Sequence, residues 1–270
     1  MELQVQGRRV HAYTGGVAFD AALPCVVFLH GALHDHSGWN LLARWLAHHG
    51  HAVLAVDEPG HGRSAGPALP DIPALAAWTV ALLDAAGVAQ AALVGHSMGS
   101  LVAMQAAADA PQRVRALVMI GTAYPMKVSE ALLTTARDAP MEAIDMVNRF
   151  SIGTWAAKPS FPGPGMWLHG SNRALMRRVF VGPQAQGCEV NLFHHDFSVC
   201  DRYDQGLEAA ARVTCPTTLI VGRLDQMTPP RAARELAAAL RARVVTVDSG
   251  HLQMAEAPDA VLQAVRDAVA

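Results

Sequence analysis

The chain has 270 residues, 51% hydrophobic and 16% charged, with a formal net charge of −2. That much apolar material supports a sizeable core and excludes an intrinsically disordered chain. Near-neutral charge without a basic stripe argues against a nucleic-acid partner, and no apolar run approaches the ~20 residues a membrane-spanning helix needs.

The four cysteines, Cys25, Cys188, Cys200 and Cys215, lack CxxC spacing and fit a reducing compartment. The stretch "MELQVQGRRVHAYTGG" has no apolar signal core. A cytoplasmic protein with no membrane partner is expected, and its oligomeric state is not legible here.

In chain order, "CVVFLHG" (25–31) reads as a buried strand ending at a glycine. In "SGWNLLARWLAHHG" (37–50), Trp39, Leu42, Trp45 and Leu46 fall at helical spacing, and Gly50 supplies a stop. Residues 51–62 read as a strand followed by a turn, and 71–87 as a helix with Asp71 near its start. A strand is expected at 90–96, an Ala-rich helix at 98–108 closed by Pro111, and a strand at 115–121. Residues 124–205 break this rhythm with "KPSFPGPGMW" and several short helical pieces. It resumes with strand 217–223, helix 229–242, strand 243–248 and helix 257–270. Repeated strand–helix units predict an α/β fold with a mostly parallel sheet covered on both faces. The expected division is a core of 1–123 and 206–270, interrupted by a helical cap insertion, 124–205.

The stretch "LVGHSMGSLVA" (93–103) sets Ser97 between two glycines at a strand-to-helix junction. Gly-x-Ser-x-Gly is short enough to arise by chance, but it falls where such a motif needs to be. Side chains at 95 and 99 would collide with the neighbouring strand and helix, so glycine holds the hydroxyl out at a helix N-terminus. A serine is a weak nucleophile without a base, and the base needs an orienting carboxylate. Of the histidines after Ser97, His169, His194 and His195 lie in the irregular insertion, whereas His251 follows Gly250 just past the last strand. Asp225, just past the preceding strand in "IVGRLDQMTPP", is the expected acid. Asp248, three residues from His251, is read as structural. Two backbone N–H donors, each worth roughly 3 kcal/mol in a transition state, should hold an oxyanion. Met98, after the nucleophile, and Ala32, in the loop after the first core strand, are expected, with Leu33 the neighbouring choice.

"FLHGA", "DEPGHGRS", "GHSMG", "GRLDQMTP" and "SGHLQMAEAP" occur in an order and at a spacing that resemble the α/β-hydrolase superfamily across the whole chain. The resemblance implies an eight-stranded, mostly parallel sheet with the site under a helical cap. "HGA" paired with "GHSMG" is similar to carboxylesterase-like and monoglyceride-lipase-like members, which favours Ala32 and Met98 as donors. Ser100 stands where a further glycine is frequent. The implied activity is a serine hydrolase that cleaves a small-to-medium carboxylic ester through an acyl-enzyme, with no cofactor and no metal. Carbon–carbon bond hydrolases of ring-fission products share the triad but commonly carry tryptophan where this chain has Leu252. Cofactor-free haloperoxidases also share it, and a non-catalytic small-molecule receptor on the same fold is the reading from another class. Serine at 97 argues against the aspartate-nucleophile dehalogenases and epoxide hydrolases.

Leu33, Trp155, Trp167 and Leu252 are the expected substrate-binding residues, within a cap rich in Met and Phe. "HGALHDHSGW" places His30, His34, Asp35 and His36 together, but without HExxH spacing a pocket-rim role is favoured over metal. His61 and Arg63 are expected to buttress the site.

Overall fold

A computed structural model describes residues 1–153, 167–185 and 190–270. Eight strands form one sheet: β1 (Glu2–Val5), β2 (Arg8–Tyr13), β3 (Cys25–Leu29), β4 (Ala52–Val56), β5 (Ala91–His96), β6 (Val114–Ile120), β7 (Thr217–Gly222) and β8 (Arg243–Val247). Their order is β1-β2-β4-β3-β5-β6-β7-β8. Every pairing from β4 to β8 is parallel, whereas β1–β2 and β2–β4 are antiparallel.

The central strands are apolar on both faces because helices cover both. Val26, Phe28, Val53, Ala55, Val94 and Val118 face one layer; Val27, Leu29, Leu54, Val56, Leu93 and Leu117 face the other, in strict alternation. The first layer holds α1 (Asn40–Ala47) and α11 (Pro258–Val269), through Leu42, Leu46, Val261 and Val265. The second holds α2 (Ile72–Ala85), whose N-cap Asp71 accepts from Ala74 N at 2.8 Å, and α3 (Met98–Asp109). Residues 229–242 divide into a 3₁₀ turn, Pro230–Ala233, and α9 (Arg234–Ala239).

Between β6 and β7 lie α4 (Glu130–Asp138), α5 (Pro140–Ser151), α6 (Leu168–Ala185), α7 (Leu192–Arg202) and α8 (Gly206–Arg212). Helices α4 and α7 pack together, α5 bridges α4 and α6, and α8 returns to α3. The β1–β2 hairpin has no counterpart among the sequence expectations. Its turn residues, Gln6 and Gly7, both have positive φ (50° and 75°), as a two-residue primed turn requires. Gln-Gly lacks the usual Asn-Gly or Asp-Gly signal. No helix among the described residues is long and apolar enough to cross a membrane.

Candidate active site

Strand β5 delivers Ser97 and α3 begins at the next residue. Ser97 has φ 51° and ψ −118°, a conformation that costs on the order of 1–3 kcal/mol and persists only when its surroundings enforce it. They do so through hydrogen bonds. Ser97 N donates to Ile120 O at 2.9 Å. Ser97 O accepts from Ser100 N at 2.9 Å and from Ser100 Oγ at 2.5 Å, and Ser100 Oγ also reaches Thr122 Oγ1 at 2.9 Å. The hydroxyl at position 100 thus braces the turn, a role its sequence position does not signal.

The flanking glycines are sterically required. A Cβ on Gly95 would land on the Gly99 carbonyl, and one on Gly99 would land on the carbonyls of Leu29 and His30. These are backbone atoms of α3, β3 and the residue after β3, and they cannot swing aside. Gly99→Ala should therefore cost about 3 kcal/mol, a fall in thermal midpoint of roughly 6–12 °C. Thermal unfolding followed by circular dichroism measures it, and an unchanged midpoint would refute the tight approach of α3 to β3.

Asp225 lies three residues past β7 and is 4% exposed. Its Oδ1 accepts from Met227 N and Thr228 N, both at 2.8 Å. Its Oδ2 accepts from Thr228 Oγ1 at 2.7 Å, Gln253 Nε2 at 3.2 Å and His251 Nδ1 at 2.8 Å. Burial pushes this carboxyl upward, but the imidazole beside it and the donors from His251 and Thr228 outweigh burial and hold it below the usual range. Asp248 is 70% exposed and pairs with Arg223 at 2.6 Å on the surface.

His251 sits in the loop after β8, held at both backbone groups. Its N donates to Ser151 O at the end of α5 (2.5 Å), and its O accepts from His96 Nε2 at 2.9 Å. Glu256, in the short helix α10 (Gln253–Glu256), accepts from Gly250 N at 3.0 Å, Leu252 N at 3.2 Å and Gly153 N at 2.9 Å. One carboxylate therefore fastens the His251 loop to the insertion.

The loop after β3 makes a tight turn in which His34 N donates to Gly31 O at 3.2 Å. Leu33 has φ 54°, the left-handed value that the third position of such a turn demands and that glycine usually fills. The Leu33 N–H is committed to Asp196 Oδ2 at 2.8 Å. Behind the loop is a buried acid–base cluster. His61 Nε2 meets Asp196 Oδ2 at 2.8 Å. Burial would lower His61, but the Asp196 charge and hydrogen bond raise it to about 9. His30 donates through Nδ1 to Gly31 O and accepts from Glu58 N at 3.1 Å, and burial drives its pKa down to about 4. Glu58 is fully buried, neither carboxylate oxygen has a hydrogen-bond partner among the described residues, and burial raises it to about 8.

Ser97, His251 and Ala32 line one cavity of about 210 Å³, walled mainly by Met126, Leu132, Met146, Val147, Phe150 and Phe197. Lys127 also lines it, but its Nζ donates to Asp201 O at 2.6 Å. Three expected pocket residues lie elsewhere. Leu33 is 0% exposed, its side chain turned into the core by the positive φ of the turn. Leu252 packs with Ile152 and Leu168 because Glu256 pins its backbone. Trp167 is 59% exposed, in a separate groove beside Arg149 and Arg173. Trp155 lies outside the described residues.

The histidine-rich loop is structurally engaged. Asp35 caps a 3₁₀ turn and accepts from Arg178 Nη2 at 2.6 Å. His36 donates to Asp57 through both N and Nδ1, at 2.8 and 2.7 Å. His11, His36 and Asp57 offer ligand atoms within 4.8 Å of one another, but Asp57 is already occupied by His36 and by Arg63 N at 2.8 Å.

Comparison with known proteins agrees with this architecture. The family model for the alpha/beta hydrolase fold matches residues 24–258. RutD of Klebsiella pneumoniae (strain 342), which carries a provisional carbamate-hydrolase name, is 28% identical over 225 residues, covering 80% of this chain and 79% of that protein. The crystal structure of the enol-lactonase from Burkholderia xenovorans LB400 is similar with a TM-score of 0.81 at 24% identity, covering 99% and 98% of the two chains. The esterase EaEST from Exiguobacterium antarcticum gives 0.82 at 17% identity, covering 100% and 98%. With the sheet order, the strained turn at Ser97 and the match over residues 24–258 together, the chain belongs to the alpha/beta hydrolase fold family.

Proposed function

We propose that the chain is a serine hydrolase that cleaves small-to-medium carboxylic esters through an acyl-enzyme. The observation that carries this reading is the 2.8 Å pair of His251 Nδ1 and Asp225 Oδ2, with His251 lining the same cavity as Ser97. The Nδ1–H donates to the carboxylate, so Nε2 is the nitrogen left to take the Ser97 proton as Oγ attacks the ester carbonyl. Asp225 stabilises the imidazolium that results. The N–H groups of Met98, at the start of α3, and Ala32 receive the oxyanion. His251 then protonates the departing alcohol, and water repeats the sequence on the acyl-enzyme.

The apolar wall favours an uncharged acyl or aryl group. Among the described lining residues the one lysine or arginine is Lys127. Its contact with Asp201 O disfavours a substrate carrying a free carboxylate. A fluorophosphonate probe tests the class: wild type should label and Ser97→Ala should not. Absence of labelling in folded wild type would favour the receptor reading. A chain-length series of p-nitrophenyl esters then reports the acyl preference. Inert esters with a cleaved ring-fission dienoate would favour carbon–carbon hydrolysis.

A further inference from the structure

The peptide joining Ala32 to Leu33 is gripped at both ends. Its carbonyl accepts from His34 Nδ1 at 2.8 Å, and its N–H donates to Asp196 Oδ2 at 2.8 Å. Both grips lead to the inserted helices. Asp196 lies on α7 and is 1% exposed. His34 Nε2 is 3.0 Å from Asn172 Oδ1 on α6, and Asn172 Nδ2 donates to Asn148 Oδ1 on α5 at 2.8 Å. The two ring nitrogens of His34 face two oxygen atoms, Ala32 O and Asn172 Oδ1, so the ring bridges the peptide to α6.

Leu33 pays for this arrangement with a left-handed φ. Released from its two holds, the peptide is free to turn over, which returns Leu33 to negative φ and exchanges carbonyl for N–H. That reverses a dipole one residue from the Ala32 N–H, beside the position where the oxyanion forms. We propose that Asp196 and Asn172 are positioning residues that hold the Ala32–Leu33 peptide from the inserted helices, so that the oxyanion loop is correctly shaped only when α6 and α7 are seated. The proposal rests on the serine hydrolase reading and adds residues remote in sequence to its machinery. His61 shares Asp196 Oδ2 with the Leu33 N–H, and His195 Nδ1 lies 3.2 Å from the other oxygen, so both imidazoles orient the carboxylate.

The test compares Asp196→Ala, Asp196→Asn and Asn172→Ala with wild type, using p-nitrophenyl butyrate and a trifluoromethyl ketone that reversibly forms an oxyanion adduct. Asp196→Ala should lower kcat about 10- to 100-fold with KM within about threefold. Affinity for the ketone should fall in parallel with kcat/KM. Asp196→Asn keeps an oxygen acceptor for the Leu33 N–H and should recover most of the loss, which a merely structural role for the charge would not produce. Thermal midpoints are recorded so that turnover is compared well below each. A wild-type kcat in Asp196→Ala, or a change confined to KM, overturns the proposal. If Asp196→Ala does not fold, Asn172→Ala carries the same test through His34, and an unchanged kcat there is equally decisive. Wild type that neither labels nor hydrolyses esters defeats the serine hydrolase reading and this inference with it. Active wild type with unaltered variants defeats this inference alone.

Discussion

Ser97→Ala and His251→Ala should each lower kcat for ester hydrolysis by about 10⁴- to 10⁶-fold, and the double variant should lose little more than either one. The reason is that neither group acts alone. Without the imidazole the Ser97 hydroxyl keeps its proton, and without the hydroxyl the imidazole has no nucleophile to activate. The structure gives the base little freedom to find another partner. Its Nδ1 is fixed by Asp225, its backbone by Ser151 and His96. KM should move little in these variants, since the apolar wall is untouched. Steady-state kinetics on p-nitrophenyl butyrate measure all three. Losses that simply add in the double variant would mean that the two side chains act independently, which the proposed mechanism does not allow.

Glu58→Gln should stabilise the protein, by an amount that grows with pH. The Glu58 carboxyl is fully buried without a hydrogen-bond partner among the described residues, and burial raises its pKa from 4.5 to about 8. Below pH 4.5 both folded and unfolded chains hold the proton, and glutamate carries no penalty relative to glutamine on this account. Between pH 4.5 and 8 the folded protein retains a proton that the unfolded chain has released, so wild-type stability falls as pH rises. Above 8 the deficit levels off at on the order of 5 kcal/mol, from about 1.4 kcal/mol per pK unit. His61, raised to about 9 beside Asp196, contributes in the complementary sense. Its stabilisation is complete below its ordinary value near 6.5 and is lost as pH climbs through 9. His61 and Glu58 feel each other's charge, so the difference between wild type and Glu58→Gln reports Glu58 together with its coupling to His61. Urea unfolding at pH 5, 7 and 9 measures it, and a gain that stays flat across that range would show that Glu58 has acquired a partner in solution.

The sheet was legible because its inner strands are unbroken apolar runs between glycine-rich turns, a pattern that needs no knowledge of distant residues. Ser97, Asp225 and His251 stood out for a related reason. Each follows a strand, and loops at that edge of a parallel sheet converge. The β1–β2 hairpin was silent because Gln-Gly is a weak turn signal and the strands are half exposed. Leu33 and Leu252 show why adjacency in sequence misleads. Each neighbours a residue of the cavity, yet a left-handed turn sends one side chain into the core and a carboxylate clamp sends the other against Ile152. Asp196 could not be read at all. Apart from the adjacent His195, its partners lie 135 and 163 residues away, and nothing in the alternation of apolar and polar residues along α7 distinguishes a carboxylate aimed at a remote backbone amide from an ordinary surface acid.

Helix α3 is enclosed for nearly its whole length, from Met98 to Ala108. A helix with no free side leaves a protein engineer no foothold: each enlargement there would press on a neighbour. Attempts to retune this molecule for a bulkier or smaller acyl group should leave that helix alone and draw their diversity from Leu132 of α4, Met146 and Phe150 of α5, Phe197 of α7 and Met126 of the strap leading into them, where the packing borders empty space.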